Sequence, residues 1–373
     1  MLNMELKNKL FTFAQTIPDF RLNRKKLYPS ENIVFITILA VICGAETWEE
    51  IEDYGIVKRE FLETILELEN GIPSHDTFNR FFSLLKPAFF EEHFVSWIKS
   101  ISNDYKGVVA IDGKTVRGSK QSGLKSAIHL VSAFSTENEI FLGQIKTEEK
   151  SNEITAIPEL LKVLDLESAI VTIDAMGCQT DIAEGIIEQK ADYILAVKEN
   201  QKELYQDIES AFLIPSKDKS KIYITEEVGS GRVEKRTCTV MDDLSHLLNP
   251  TKWSSLQSIV KIESERFIKS TGKTQKATRF YISSLPCDAK KIADAIRSHW
   301  KIENNLHWHL DVSFGEDKSR KRYKNAAQNF SSVLKLSLKI LLNETISPVK
   351  KSIRRKRKIA GWDNHYLLSL FNF

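Results

Sequence analysis

Apolar positions divide the chain into stretches of different period. Across residues 1–100 they recur at helical spacing through 31–45, 56–69 and 77–100, without strand-like alternation. "PSHDTFNRFF" interrupts the pattern and restarts it, with Ser74 or Asp76 placed to cap the new helix. This predicts an N-terminal helical accessory domain. The character then changes. Strands are expected at 107–112, 126–134 and 139–146, a helix at 154–164, a strand at 169–174, a helix at 179–189 and a strand at 192–197. Two short connections make an antiparallel meander, and the later helices cross over between parallel strands, giving β-β-β-α-β-α-β.

After a helix at 201–213 come four strand-like runs, 221–227, 232–241, 256–267 and 276–284, joined in pairs by "GSG" and "STGKT". Helical spacing returns at 289–310 and 326–343. Residues 201–285 therefore read as a β-rich insertion in one α/β core made of 101–200 and 286–345, with 346–373 as a basic C-terminal segment.

The longest apolar run, Ile33 to Ala45, has thirteen residues. That is short of the roughly 18 needed to span a bilayer, so it predicts a buried helix and no membrane partner. The N-terminus has no secretion-type apolar stretch, and the four cysteines (Cys43, Cys178, Cys238, Cys287) form no C-x-x-C pair. Both features point to a cytoplasmic chain without a disulfide frame or zinc site. The formal net charge is only +3, yet residues 318–358 hold fourteen Lys/Arg against one acid, Glu344. Such segregation points to a polyanion bound at one end of the molecule.

Two strands share a form. Val108–Ile111 runs into Asp112 and Gly113, and "AIVTIDAMG" delivers Asp174 into a turn with glycine. Either aspartate alone reads as a turn former or helix N-cap. Two in one sheet can approach closely, and bare carboxylates that close repel unless a cation lies between them. Glu303 follows Ile296 by seven residues, which sets it within roughly 20° of the apolar stripe of its helix and turns it toward the core. It must then pair, for which His299 is available, or bind metal. Three oxygen donors suit Mg²⁺ or Mn²⁺, and two such ions about 4 Å apart serve phosphodiester cleavage and transfer.

Longer motifs surround these acids: "GIPSHDTFNRFF", "AIDGKTVRGS", "IHLVSAF", "SNEITAIPELL", "IDAMGCQTDIA", "YILAVKENQ", "RSHWKIENNLHWHLDVSFGEDKSR" and "KRKIAGWDNHYLLSL". Together they resemble the DDE transposases of bacterial insertion sequences, in the branch that includes the H-repeat-associated proteins, along nearly the whole chain. The resemblance implies a ribonuclease H-like catalytic core and a metal-binding triad of Asp112, Asp174 and Glu303. It also implies two metal ions per active site, cleavage of double-stranded DNA at element ends and attack of the freed 3′-OH on target DNA. Pairing two ends implies a dimer in the DNA complex, and the setting implied is the bacterial nucleoid.

The match departs in places. Where many related helices carry Tyr, Arg, Glu and Lys, this one has Ile296, His299, Glu303 and Leu310, so phosphate contacts are expected from Arg297, Asn304 and Lys318, with Arg320 closing the same motif. In the insertion, Ser230 stands where the resemblance leads one to expect histidine before Gly231 and Arg232, the latter a DNA-contact candidate. Further candidates are Lys114 and Arg117 after Asp112, Lys198 and Asn200 after the last core strand, and Arg354, Arg355 and Arg357 in "KKSIRRKRK", which reads either as a phosphate-binding block or as a tail that folds on binding. His307 and His309, as H-x-H on a helix, are expected on different faces and not on a shared metal. His129 is expected to be satisfied within a core strand, Trp300 and Trp308 to be core, and Asp311 and Glu316 to support the site or cap. The leading expectation is a metal-dependent transposase. The alternatives are a catalytically silent DNA-binding derivative and a host nuclease on the same fold.

Overall fold

The computed structural model describes residues 12–101, 107–120, 127–147, 153–214, 220–229, 231–345, 347 and 349–371. Ahead of the first strand lie α1 (Ser30–Cys43), α2 (Trp48–Val57), α3 (Arg59–Glu63), α4 (His75–Leu84) and α5 (Pro87–Ile101). The expected helix at 56–69 is instead split between α2 and α3. A capping box in which Thr47 accepts the Glu50 N–H and Glu50 accepts the Thr47 N–H starts α2 ahead of the expected helix, and Lys58 is the C-cap that ends it. Helix α1 is apolar on every side and buried from Asn32 through Ile42, and Gly44, with φ 119°, ends it.

Next come β1 (Val108–Thr115), β2 (His129–Ser135), β3 (Ile140–Lys146), α6 (Glu153–Val163), β4 (Ile170–Ile173), α7 (Thr180–Glu188), β5 (Asp192–Val197) and α8 (Lys202–Ala211). β1, β2 and β3 pair antiparallel, and β1, β4 and β5 run parallel. The meander and crossovers thus follow the order expected from the sequence. β1 runs three residues further than expected. Gly113 does not turn the chain away but pairs with Val131 within the strand, and a Cβ there would collide with the Glu153 carboxylate and the His129 ring.

The insertion contributes β6 (Ser220–Gly229), β7 (Arg232–Met241), β8 (Ser258–Ile268) and β9 (Lys273–Ser283). These strands are not a separate sheet. β9 pairs antiparallel with β5, and all nine strands form one sheet in the order β3-β2-β1-β4-β5-β9-β8-β7-β6. Ser230 lies outside the described residues.

Helix α9 (Ala289–Lys301) covers one face, packing Ile292, Ala295 and Ile296 on Val108, Ile170, Ile194 and Val260. It continues as π-helical turns at Ile302–His307 and His309–Ser313. The other face carries α6, α7 and the buried helix α10 (Ala326–Leu342), and a single apolar cluster there runs from Phe13 to Phe371. The N-terminal helices therefore share a core with the sheet. The basic segment is ordered as α11 (Ile353–Trp362), with α12 (Asn364–Ser369) behind it. Among the described residues, no single helix is long and apolar enough to cross a membrane, and the four cysteines form no disulfide.

Candidate metal centre and active site

Parallel register brings the two aspartates together. Ile111 pairs with Ile173, so Asp112 and Asp174 follow at the same level on adjacent strands, about 4.8 Å apart in the pairing direction. Asp174 also caps the short turn Ala175–Gly177, accepting the Met176 N–H at 3.0 Å. The N-cap reading and the paired-carboxylate reading therefore describe one side chain.

Glu303 reaches the pair from the first π-helical turn. Ligand atoms of Asp112, Glu303 and His307 lie within 4.8 Å of one another. His307 Nδ1 is 3.4 Å from Asp112 Oδ2 and 3.8 Å from Glu303 Oε2. Glu303 occupies the face its spacing predicts, yet its side chain is 50% exposed, because that face opens onto a cavity of about 220 Å³ instead of solid core. Asp112, Asp174, Thr172, His299, Lys198 and Arg279 also line this cavity.

Burial, followed by the neighbouring Glu303, Asp174 and Glu153 carboxylates, pushes the Asp112 carboxyl up to about 8. Burial likewise raises Asp174, and Glu153 adds to the effect. Glu303 moves down, chiefly because the neighbouring His307 favours its ionised form. Among the described partners, Asp112 Oδ2 and His307 Nε2 are buried and have no hydrogen bond. Close carboxylates with unsatisfied buried donor atoms are what a divalent cation fits.

Three neighbours were not anticipated in these roles. His307, judged against His309, belongs with Glu303 four residues earlier on one face. Glu153 opens α6 and is fixed by His129 Nε2 at 2.7 Å, while Thr115 Oγ1 holds His129 Nδ1 at 2.8 Å. His299 does not pair with Glu303. Its Nδ1 lies 3.0 Å from Thr172 Oγ1, and burial holds its pKa down at about 4, so it is neutral near neutral pH.

Several expected DNA contacts are otherwise engaged. Lys114 is a buried clamp, 2.7 Å from Asp311, 3.0 Å from Glu316 and 3.4 Å from Asp317. Burial opposes its charge, but the surrounding carboxylates, led by Glu316, hold it above the ordinary lysine range. Arg357 is also buried. It donates to the Val41 carbonyl at 3.2 and 3.0 Å and to the Ser313 carbonyl, docking α11 on the C-terminal end of α1. Asn200 donates to the Ala175 carbonyl at 2.6 Å and braces the turn after Asp174. Arg297 pairs with Glu227 at 3.0 Å. Arg117 is largely exposed, with Nε 3.4 Å from Asp317. Lys198, Arg232, Asn304, Lys318, Arg320, Arg354 and Arg355 are exposed. Trp300 and Trp308 are 39% and 51% exposed, not core, and Trp300 lies at the edge of the cavity.

Residues 11–98 match the family model described as DDE_Tnp_1-associated, and residues 105–338 match the transposase DDE domain. The chain is 44% identical over 374 residues to YhhI of Escherichia coli (strain K12), named an "H repeat-associated putative transposase", covering 98% of each. It is 43% identical to YncI of Escherichia coli O157:H7, covering 96% of this chain and 93% of that one. The "Inactive transposase YbfQ" of Escherichia coli (strain K12) is 47% identical over only 77 residues, 21% of this chain and 90% of its own. Among solved structures, a piggyBac transposase synaptic complex with hairpin DNA aligns with TM-score 0.41 and 10% identity, over 96% of this chain and 79% of that one. With a transposase DDE domain across most of its length and full-length H-repeat-associated relatives, the chain belongs to the DDE transposase family, in the H-repeat-associated branch.

Proposed function

We propose that this protein is a metal-dependent DNA transposase that cuts the ends of its element and joins them to target DNA. The observation that carries the reading is the convergence of Asp112, Glu303 and His307 within 4.8 Å, beside Asp174 on the adjoining parallel strand. Asp112, Asp174 and Glu303 would hold Mg²⁺ or Mn²⁺, as two ions, and these supply Lewis-acid activation of phosphodiester hydrolysis and strand transfer. His307 keeps Glu303 ionised and aimed at Asp112, and Asn200 braces the turn carrying Asp174. Neutral His299, bonded to Thr172, locks α9 to β4 so that the helix and both strands keep one spacing.

In this reading β1–β5 with α9 form a ribonuclease H-like core, residues 201–285 and the exposed basic residues Arg117, Lys198, Arg232, Lys318, Arg320, Arg354 and Arg355 contact double-stranded DNA, and two copies act together on paired ends. The protein works at the bacterial nucleoid. The division into 1–100, 101–200 with 286–345, 201–285 and 346–373 follows these roles.

The test uses the full chain and DNA carrying the inverted repeats that flank its gene, with Mg²⁺ or Mn²⁺. Wild type is expected to cut at the repeat ends and Asp112→Asn to bind without cutting. Equal cutting by both proteins overturns the site assignment. Binding without cutting by wild type assigns the silent derivative instead.

A further inference from the structure

The pairing of β5 with β9 ends at Val197 opposite Phe280. The next residues outward are Lys198 and Arg279, so two cations stand across from each other where the core meets the insertion. Like charges in that relation destabilise a sheet, whereas other cations on the insertion are neutralised: Arg236 lies 2.7 Å and Arg266 3.1 Å from Glu234. Lys198 and Arg279 form no ion pair with a carboxylate among the described residues.

Both residues line the acidic cavity and a second cavity of about 530 Å³ on the other side of Asp174, which Asn200, Tyr205 and Phe280 also line. Arg279 is held in place there. Its guanidinium carbon sits 5.1 Å from the centroid of the Trp300 ring, a cation–π contact that restrains the planar group, and the Tyr281 side chain lies beside it.

We infer that Arg279 and Lys198 form an anion subsite that takes a backbone phosphodiester of DNA beside the carboxylate cluster. The inference rests on the reading of that cluster as the DNA-processing centre. The ionised carboxylates of this cluster repel a polyanion. Two cations fixed on adjacent strands counter that repulsion and draw the phosphate chain to the mouth of the cavity. The phosphate in turn relieves the repulsion between the cations. Arg279 lies outside the sequence motifs that carry the triad, and the β5–β9 pairing is what brings it here.

The test measures binding of a fluorescent DNA duplex to the full chain without divalent cation over a range of salt. Each lost phosphate contact lowers the slope of log K against log[salt] by about 0.9. Arg279→Gln and Lys198→Gln are each expected to lower the slope by about that amount and the double variant by about twice it. Arg279→Lys should recover most of the slope. Lys276→Gln, which removes a cation on the same strand already paired with Glu265 at 2.5 Å, should leave it unchanged, and thermal melting checks folding throughout. Wild type that cuts DNA in Mg²⁺ while Arg279→Gln and Lys198→Gln keep the full slope overturns the subsite alone. Variants that lose slope beside a wild type that never cuts overturn the cleavage reading and leave the subsite standing.

Discussion

Replacing Lys114 with Met removes the cation shared by Asp311, Glu316 and Asp317. The Lys114 side chain is 10% exposed and the Glu316 side chain 3%, so this is an interior ion cluster and not a surface pair. Glu316 keeps one hydrogen bond, from Ser331 Oγ at 2.6 Å, but its charge loses its counter-ion. Stripping one partner from a buried pair costs about 3–5 kcal/mol. The lower end applies here because Asp311 and Asp317 are 36% and 27% exposed and can recover solvation. Urea unfolding followed by tryptophan fluorescence measures the difference. The gap should be about 3 kcal/mol near neutral pH. A gap below about 1 kcal/mol means that the cluster behaves as a solvated surface pair and the reasoning fails.

Lys321 is buried between the rings of Phe330 and Trp48, 3.7 and 4.8 Å from their centroids, and burial pulls its pKa down to about 7. The unfolded chain then binds more protons between about pH 7 and 10.4, so this group makes stability rise with pH across that window. Lys321→Met should flatten the trend in urea midpoints, and identical pH trends in the two proteins would exclude the effect. For metal binding, Asp112 holds a proton below about pH 8 and must release it to act as a ligand. Calorimetric titration with Mn²⁺ in buffers of different ionisation heat should show proton release at neutral pH that vanishes well above pH 8. Heats that do not depend on the buffer contradict that picture.

The sequence carried the parts of the site that local pattern and parallel pairing determine. Asp112 and Asp174 close matching apolar runs, and a shared parallel register makes like positions in such runs spatial neighbours. The face of Glu303 followed from helical spacing, but its exposure did not, because no periodicity reveals that a stripe runs out over a cavity. Lys114 and Arg357 were misjudged for one reason. A charge is visible in sequence, whereas the carboxylates or carbonyls that bury it arrive from residues up to 316 positions away. His307 had a legible signal, four residues after Glu303, that was obscured by comparing it with His309. Arg279 had none, since its position depends on a non-local antiparallel pairing. Thr47 and Glu50 were legible as a capping box and would have moved the helix boundary to its true place.

The strand order also governs how the chain can be assembled. β5 takes as its neighbour β9, the last strand of the insertion, so residues 194–197 wait for 280–283. Until that segment has emerged from the ribosome, an apolar strand at the middle of the finished sheet has one open flank. A gene copy broken anywhere before that point encodes more than a chain that lacks Glu303. It encodes a chain with a permanently unpaired interior strand, suited to sticking to other chains and to rapid proteolysis.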